Sequence, residues 1–263
     1  MKKILIFGFT GFIGINLKKF LKNYIVYAVE NTKKIKKEKN IIPVKINLDT
    51  LKDINIYKNK IDYIINLAWY KIPNFTKNIN DFNITLNKKI INFSKQINAK
   101  KVFFAGSCFE YDHKNKFINE TSKVTDSNKL GLTKLIIKKY AEKILKRKLI
   151  WGRIFYAYGP HQRSGSILKY AKNMMKQKKK INLKNPYMYL DYIHVNEVCS
   201  IILLLLEKNK FGTYNICSGK PEFNKNFIEK ELKIKINENY NRNTKVTGFF
   251  GCNKKISEIK ELI

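Results

Sequence analysis

The stretch Lys3-Ile4-Leu5-Ile6-Phe7-Gly8-Phe9-Thr10-Gly11-Phe12-Ile13-Gly14 decides the fold. An apolar run long enough for one buried strand breaks into glycines at 8, 11 and 14. Apolar residues at helical spacing, Ile13, Leu17, Phe20 and Leu21, follow at once. The pattern predicts a strand, a tight turn and a helix. In such a turn glycines let the main chain bend sharply, approach a pyrophosphate and pack helix against strand. The amide groups at the helix start then face an anion. Gly8, Gly11 and Gly14, with Thr10, Phe12 and Ile13 beside them, are therefore candidate contacts to a dinucleotide.

Outward from this turn, strand and helix signals alternate, which predicts a parallel sheet covered on both faces. A strand over 24–29 ends at Glu30, whose carboxylate can accept hydrogen bonds from an adenosine ribose and so favours NAD over NADP. Lys33 and Lys34 close by would instead welcome a 2′-phosphate. Strands over 41–46 and 63–67 lead into Asn47 and Leu48, and into Ala68, Trp69 and Tyr70. A helix over 81–98 precedes a buried strand ending in Gly106-Ser107-Cys108-Phe109-Glu110-Tyr111, and a helix over 127–147 precedes a strand over 149–155. That strand runs into Tyr156-Ala157-Tyr158-Gly159-Pro160, where Gly-Pro stops the element. Past it the alternation weakens to one helix and a short strand at 181–183. A strand over 191–195, a helix over 196–208 and a strand over 213–216 are expected to rejoin the sheet. The expectation is a Rossmann-like, doubly wound α/β domain of residues 1–160 and 190–217. A small C-terminal substrate lobe would comprise residues 161–189 and 218–263.

A chain of 263 residues with 44% hydrophobic and 13% aromatic content can build one such core and a small lobe. Its net charge of +33 raises the question of a polyanionic partner. All but four of the 53 basic residues are lysine, however, the exceptions being Arg147, Arg153, Arg163 and Arg242. Nucleic-acid recognition favours the planar arginine fork, and no basic stripe interleaved with aromatics is present, so the composition argues against it. Cys108, Cys199, Cys217 and Cys252 show neither disulfide nor metal spacing. That usage, with no apolar run long enough to span a bilayer, predicts a reduced cytoplasmic protein without a metal site.

The order of these landmarks resembles the extended short-chain dehydrogenase/reductase family, the sugar-nucleotide epimerases, dehydratases and 4-keto reductases. The glycine turn, Ile64-Ile65-Asn66-Leu67-Ala68, Arg153 to Pro160, Asp191 to Val195 and Tyr214 to Pro221 carry the resemblance. Within the family, Leu67-Ala68-Trp69, Gly106 to Tyr111 and Phe155 to Gly159 are most similar to the reductases of the CDP-abequose-synthase type. The resemblance implies reduction of a 4-keto-6-deoxyhexose carried on a nucleoside diphosphate, in a homodimer formed through two helices. It also implies cofactor contacts at Asn47, Leu48, Leu67, Ala68, Trp69, Lys134 and Phe155. Sugar and diphosphate contacts are implied at Tyr70, Ser107, Cys108, Tyr156, His161, Gln162 and Arg163.

The family's chemistry uses a Ser or Thr, a Tyr, and a Lys four residues after the Tyr. That spacing puts phenol and ammonium on one helix face, and the phenol gives or takes a proton as hydride moves. Ser107 and Lys134 match, but the tyrosine position holds Leu130, and none of the 15 tyrosines has a lysine four residues later. Three explanations stand open. Another group supplies the proton, with Tyr111, Cys108, His113, Tyr156 or water as candidates. The chain binds cofactor and nucleotide sugar without turnover. Or it performs a different step, such as an epimerisation with another acid and base.

Overall fold

The computed structural model describes residues 1–31, 33–48, 60–114, 116–236 and 246–261. Arg242 lies outside the described residues. In chain order the elements are β1 (Lys2–Phe7), α1 (Phe12–Leu17), β2 (Tyr24–Val29), β3 (Ile41–Val44), β4 (Tyr63–Asn66), α2 (Lys77–Ile97), β5 (Lys101–Ser107), β6 (Phe117–Ile118) and α3 (Lys129–Leu145). They continue with β7 (Leu149–Ile154), β8 (Tyr156–Tyr158), α4 (Ile167–Lys176), β9 (Tyr189–His194), α5 (Val195–Glu207), β10 (Gly212–Ile216), β11 (Pro221–Phe223), α6 (Asn224–Leu232), β12 (Gly248–Gly251) and α7 (Lys254–Lys260).

Seven strands form one sheet in the order β10-β7-β5-β4-β1-β2-β3, every pair parallel. Because successive side chains point to opposite faces, Ile4, Ile6, Val26 and Ile65 join one core with α1 and α5. Leu5, Phe7, Ile64 and Phe104 join a second core with α2 and α3. The sheet is thus covered on both faces, as its apolar strands require. Strand order reverses between β1 and β4, and the crevice beyond the carboxyl ends of strands at such a switch point is where ligands bind in this architecture. The Rossmann-like, doubly wound expectation holds.

The boundary of the small lobe differs from the expected one. β9 does not rejoin the main sheet; it sits in a second, five-stranded sheet, beside β11 and β12 and paired with β8. β6, from the middle of the chain, closes that sheet against β12. The segment 181–183 is not a strand, and Ile181 instead packs into a satellite core with Leu168, Phe227 and Ile228 from α4 and α6. Conversely α7, expected in the lobe, places Ile256 and Ile259 in the main core.

Asp191 of β9 ties the two regions together. Its buried carboxylate accepts from Ser218 N–H and Oγ–H, Gly219 N–H and Gly251 N–H, at 2.7 to 3.1 Å. These bonds join β9 to the loop after β10 and to β12, and compensate the cost of a buried carboxylate.

Candidate active site

The turn between β1 and α1 forms as the glycines require. Gly8 has φ +79°, and a Cβ there would lie 2.7 Å from the Leu67 carbonyl carbon. A Cβ on Gly14 would lie 2.4 Å from the Phe9 oxygen, so helix and turn approach to backbone contact. Phe12 and Ile13 precede the amide of Ile15, which donates to the Gly11 carbonyl at 2.9 Å. Their N–H groups belong to the unpaired first turn. Gly8, Gly11, Phe12, Ile13 and Gly14 all line one cavity of about 670 Å³.

The same cavity runs past Leu67, Trp69, Ser107, Leu130 and Phe155 into the small lobe. There Tyr156, Tyr158, Gln162, Arg163, Tyr192 and Phe227 complete its wall. Ser107 ends β5 and caps the short turn Cys108–Glu110. Its Oγ accepts from Phe109 N–H at 3.2 Å while its own N–H donates to the Glu110 carboxylate at 2.8 Å. Its hydroxyl, which also meets the Cys108 thiol, lines the cavity and can turn its O–H toward an oxygen there.

Leu130 and Lys134 are set by the start of α3. Asn128 accepts from the amides of Leu130 and Gly131, both at 3.0 Å, fixing the first turn. A Cβ on Gly131 would lie 2.0 Å from the Phe109 oxygen, so only glycine lets α3 settle on the turn that follows Ser107. Leu130 is buried and presents its side chain to the cavity. One helical turn on, Lys134 donates to the Ala105 carbonyl at 2.6 Å and lies 3.9 Å from the centre of the Trp69 ring. Burial pushes its ammonium down to about 7, against the opposing pull of Glu110. Lys134 therefore stands behind the wall, reached through Ala105 and Trp69.

Other expected contacts lie off the cavity. Thr10, Ala68, Asn47, Leu48 and Glu30 do not line it, and Glu30 accepts from Ile35 N–H at 2.8 Å. Tyr70 packs its ring 4.7 Å from that of Phe82, and His161 is exposed with φ +63°.

Tyr111 and Cys108 require correction. Tyr111 is completely buried, donates to Asn215 Oδ1 at 2.6 Å and carries the Arg153 guanidinium 4.2 Å from its ring centre. It is a structural phenol that cannot reach a substrate. Cys108 is buried directly behind the wall, in a cluster with Phe155 and Cys217, and does not line the cavity; burial pushes its thiol up.

Behind Ser107 stands a polar network that sequence spacing did not reveal. Glu110, fully buried, accepts from Trp151 Nε1 at 3.0 Å and from Arg153 Nε at 2.7 Å as well as from Ser107 N–H. A Cβ on Gly106 would lie 2.3 Å from Trp151 Nε1 and 2.6 Å from the Glu110 carboxylate, so this glycine leaves room for the network. Buried charges need such pairing, and the signals for it were Glu110 and Arg153 in otherwise apolar strand ends.

The model of the NAD dependent epimerase/dehydratase family matches residues 4–217. No curated protein sequence matches the chain. Among solved structures it is similar to a UDP-N-acetylglucosamine 4-epimerase from Methanobrevibacter ruminantium M1, in complex with UDP-N-acetylmuramic acid. Identity there is 20%, over 98% of this chain and 91% of that one, with a TM-score of 0.82. It is also similar to a dTDP-glucose 4,6-dehydratase from Bacillus anthracis strain Ames in complex with NAD, at 18% identity, 99% and 91% coverage and a TM-score of 0.81. A UDP-glucuronic acid 4-epimerase from Bacillus cereus in complex with NAD gives 19% identity, 97% and 91% coverage and a TM-score of 0.79. At these identities the likeness is one of fold.

Proposed function

The chain belongs to the NAD dependent epimerase/dehydratase family, and from that premise we propose that it reduces a nucleotide-activated 4-keto-6-deoxysugar with NAD(P)H. The setting we propose is cytoplasmic synthesis of sugars for surface polysaccharide. The observation that carries this reading is that the glycine turn, Ser107 and the aromatic wall of the small lobe line one cavity. NAD in two of the similar structures and a nucleotide sugar in the third support the pairing of ligands.

The residues present fit a dinucleotide, since the cradle between Gly8 and Gly14 is one that a Cβ at either end would fill. The turn and the amides of Phe12 and Ile13 would hold the pyrophosphate. Glu30 would hold the adenosine ribose and tip the choice toward NAD, and Lys134, once swung away from the Ala105 carbonyl, would hold the nicotinamide ribose. When bound, the reduced nicotinamide supplies hydride to the sugar carbonyl carbon. Ser107 donates its O–H to the carbonyl oxygen, orienting and polarising it, while Gln162 and Arg163 grip the sugar and diphosphate. A homodimer is part of the proposal, supported by the apolar Leu132 and Ile136 exposed on α3 and Phe82 on α2.

Incubating the protein with NADH or NADPH and a panel of CDP-, dTDP-, UDP- and GDP-linked 4-keto-6-deoxyhexoses tests the reading. Loss of nicotinamide absorbance with at least one sugar is expected. Binding of these sugars with no loss from any would overturn the reductase and leave a silent binding protein of the same fold.

A further inference from the structure

We infer that Tyr156 is the proton donor of this site: its phenol, on the wall it shares with Ser107, hydrogen-bonds the substrate's carbonyl oxygen and hands it a proton. The inference rests on the reductase reading. A ketone reduced in a cavity whose α3 wall ends in Leu130 needs a donor from elsewhere, and the structure sorts the candidates by where each hydroxyl, thiol or imidazole is spent.

Tyr111 and Cys108 are buried off the cavity. His113 is off it as well, with Nε2 3.0 Å from the Cys108 carbonyl and its ring stacked 3.9 Å from that of Phe249. Three phenols do line the cavity. Tyr192 donates to Asn224 Oδ1 at 2.5 Å and stacks on Phe227, and Tyr158 faces the Glu231 carboxylate and packs edge-on to Phe227. Tyr156 alone of the three makes no hydrogen bond with any described residue. Rings hold it, with centres at 6.0 Å to Phe109, 5.9 Å to Phe249 and 6.1 Å to Tyr192. Phe109 is two residues beyond Ser107, and its amide is the one that Ser107 caps. The serine hydroxyl and the uncommitted phenol therefore belong to adjoining parts of one wall.

Chemistry agrees with the placement. Burial pushes the Tyr156 phenol up, and the titratable groups that act on it are Cys108 and Tyr192, neither of them a cation. It is thus fully protonated at neutral pH, the state that donates. When hydride from the reduced nicotinamide reaches the carbonyl carbon, the π pair moves to the oxygen. That oxygen takes the phenol proton, the Tyr156 O–H bond breaks as the alcohol O–H bond forms, and water returns a proton to the phenolate. An alkoxide is basic enough to take a proton from a phenol of raised pKa, whereas such a phenol offers no base for the reverse. Tyr156 therefore favours reduction over alcohol oxidation.

Tyr156→Phe removes the hydroxyl and keeps the ring contacts, so the variant is expected to melt with the wild type. Turnover of the sugar that the wild type reduces should fall about 10²–10⁴-fold, the contribution of a positioned acid. Calorimetry without nicotinamide supplies a second readout. Affinity for the 4-keto-6-deoxyhexose nucleotide should fall about 3- to 10-fold, the worth of one hydrogen bond, while affinity for the bare nucleoside diphosphate and for NADH stays unchanged. A variant that turns over and binds the keto sugar like the wild type overturns the role of Tyr156 and leaves the proposed function standing. A variant that loses nucleoside diphosphate and keto sugar equally also overturns it, since the wall rather than a hydroxyl was disturbed. Wild-type protein that reduces none of the sugars overturns the proposed function and this role together.

Discussion

Leu130 and Lys134 share one face of α3, and the first turn that sets them depends on Asn128 and on the absence of a side chain at Gly131. The helix therefore still presents position 130 to the cavity as it would present a phenol. If Tyr156 carries the proton, adding Leu130→Tyr to Tyr156→Phe should restore turnover by at least about tenfold over the single variant, because a general acid contributes 10²-fold or more when positioned. No recovery in that double variant would mean that Lys134, folded back on Ala105 and Trp69, no longer supports a phenol at 130. Lys134 also makes a prediction of its own. Its ammonium is held at about 7 by burial, against 10.5 for an ordinary lysine, so between those values the unfolded chain binds the proton and the folded chain does not. Stability contributed by this residue therefore rises with pH across that window and is least below about 7. Melting temperatures measured from pH 7 to pH 10 should rise relative to those of Lys134→Met; parallel curves would contradict the burial of the ammonium.

At the level of elements, legibility followed periodicity and length. β1, β2, β4 and β7 are apolar runs with clear stripes, and the sequence places each within a residue or two of its observed bounds, while β5 stops at Ser107, short of Tyr111. The glycine turn was legible because its spacing has a geometric reason. The small sheet was not, because β6, β8, β11 and β12 are two to four residues long and pair across the whole chain. No local pattern distinguishes a strand that rejoins the main sheet from one that leaves it, and β9 was placed wrongly for that reason. In the site, Ser107 was readable from its strand end. The commitment of Tyr111 to Asn215 was not, since their contact spans 104 residues. On α3, Leu132 and Ile136 lie one turn apart and are 39% and 40% exposed. An apolar stripe of this kind on a helix beside α2 suits a self-association face. Ile136→Glu should shift the protein from dimer to monomer in analytical ultracentrifugation with its melting temperature little changed. A wild type that sediments as a monomer would remove the dimer from the account.

Over the whole molecule, two sheets meet around one cavity at the point where strand order reverses, and the groups proposed as catalytic reach it from both. The glycine turn and Ser107 come from carboxyl ends of the large sheet, while Tyr156 comes from β8, which pairs with β9 of the small one. Most described lysines are exposed, and those that form ion pairs, such as Lys77 with Asp81 and Lys100 with Asp62, stay in solvent, so these pairs contribute little to stability. The chain's net positive field suits anionic ligands of any kind, so the charge would draw in the proposed diphosphate without choosing the sugar. No described helix is long and apolar enough to cross a membrane. The measurement that tests the central claim most directly follows the hydrogen itself. Protein is incubated with a 4-keto-6-deoxyhexose nucleotide and nicotinamide deuterated at its transferable position, and the sugar is weighed by mass spectrometry. Net reduction predicts a product carrying one deuterium at the former carbonyl carbon, formed in step with cofactor oxidation. An altered sugar that carries no deuterium would contradict it and point to an epimerisation on retained cofactor, and an unaltered sugar would contradict turnover altogether.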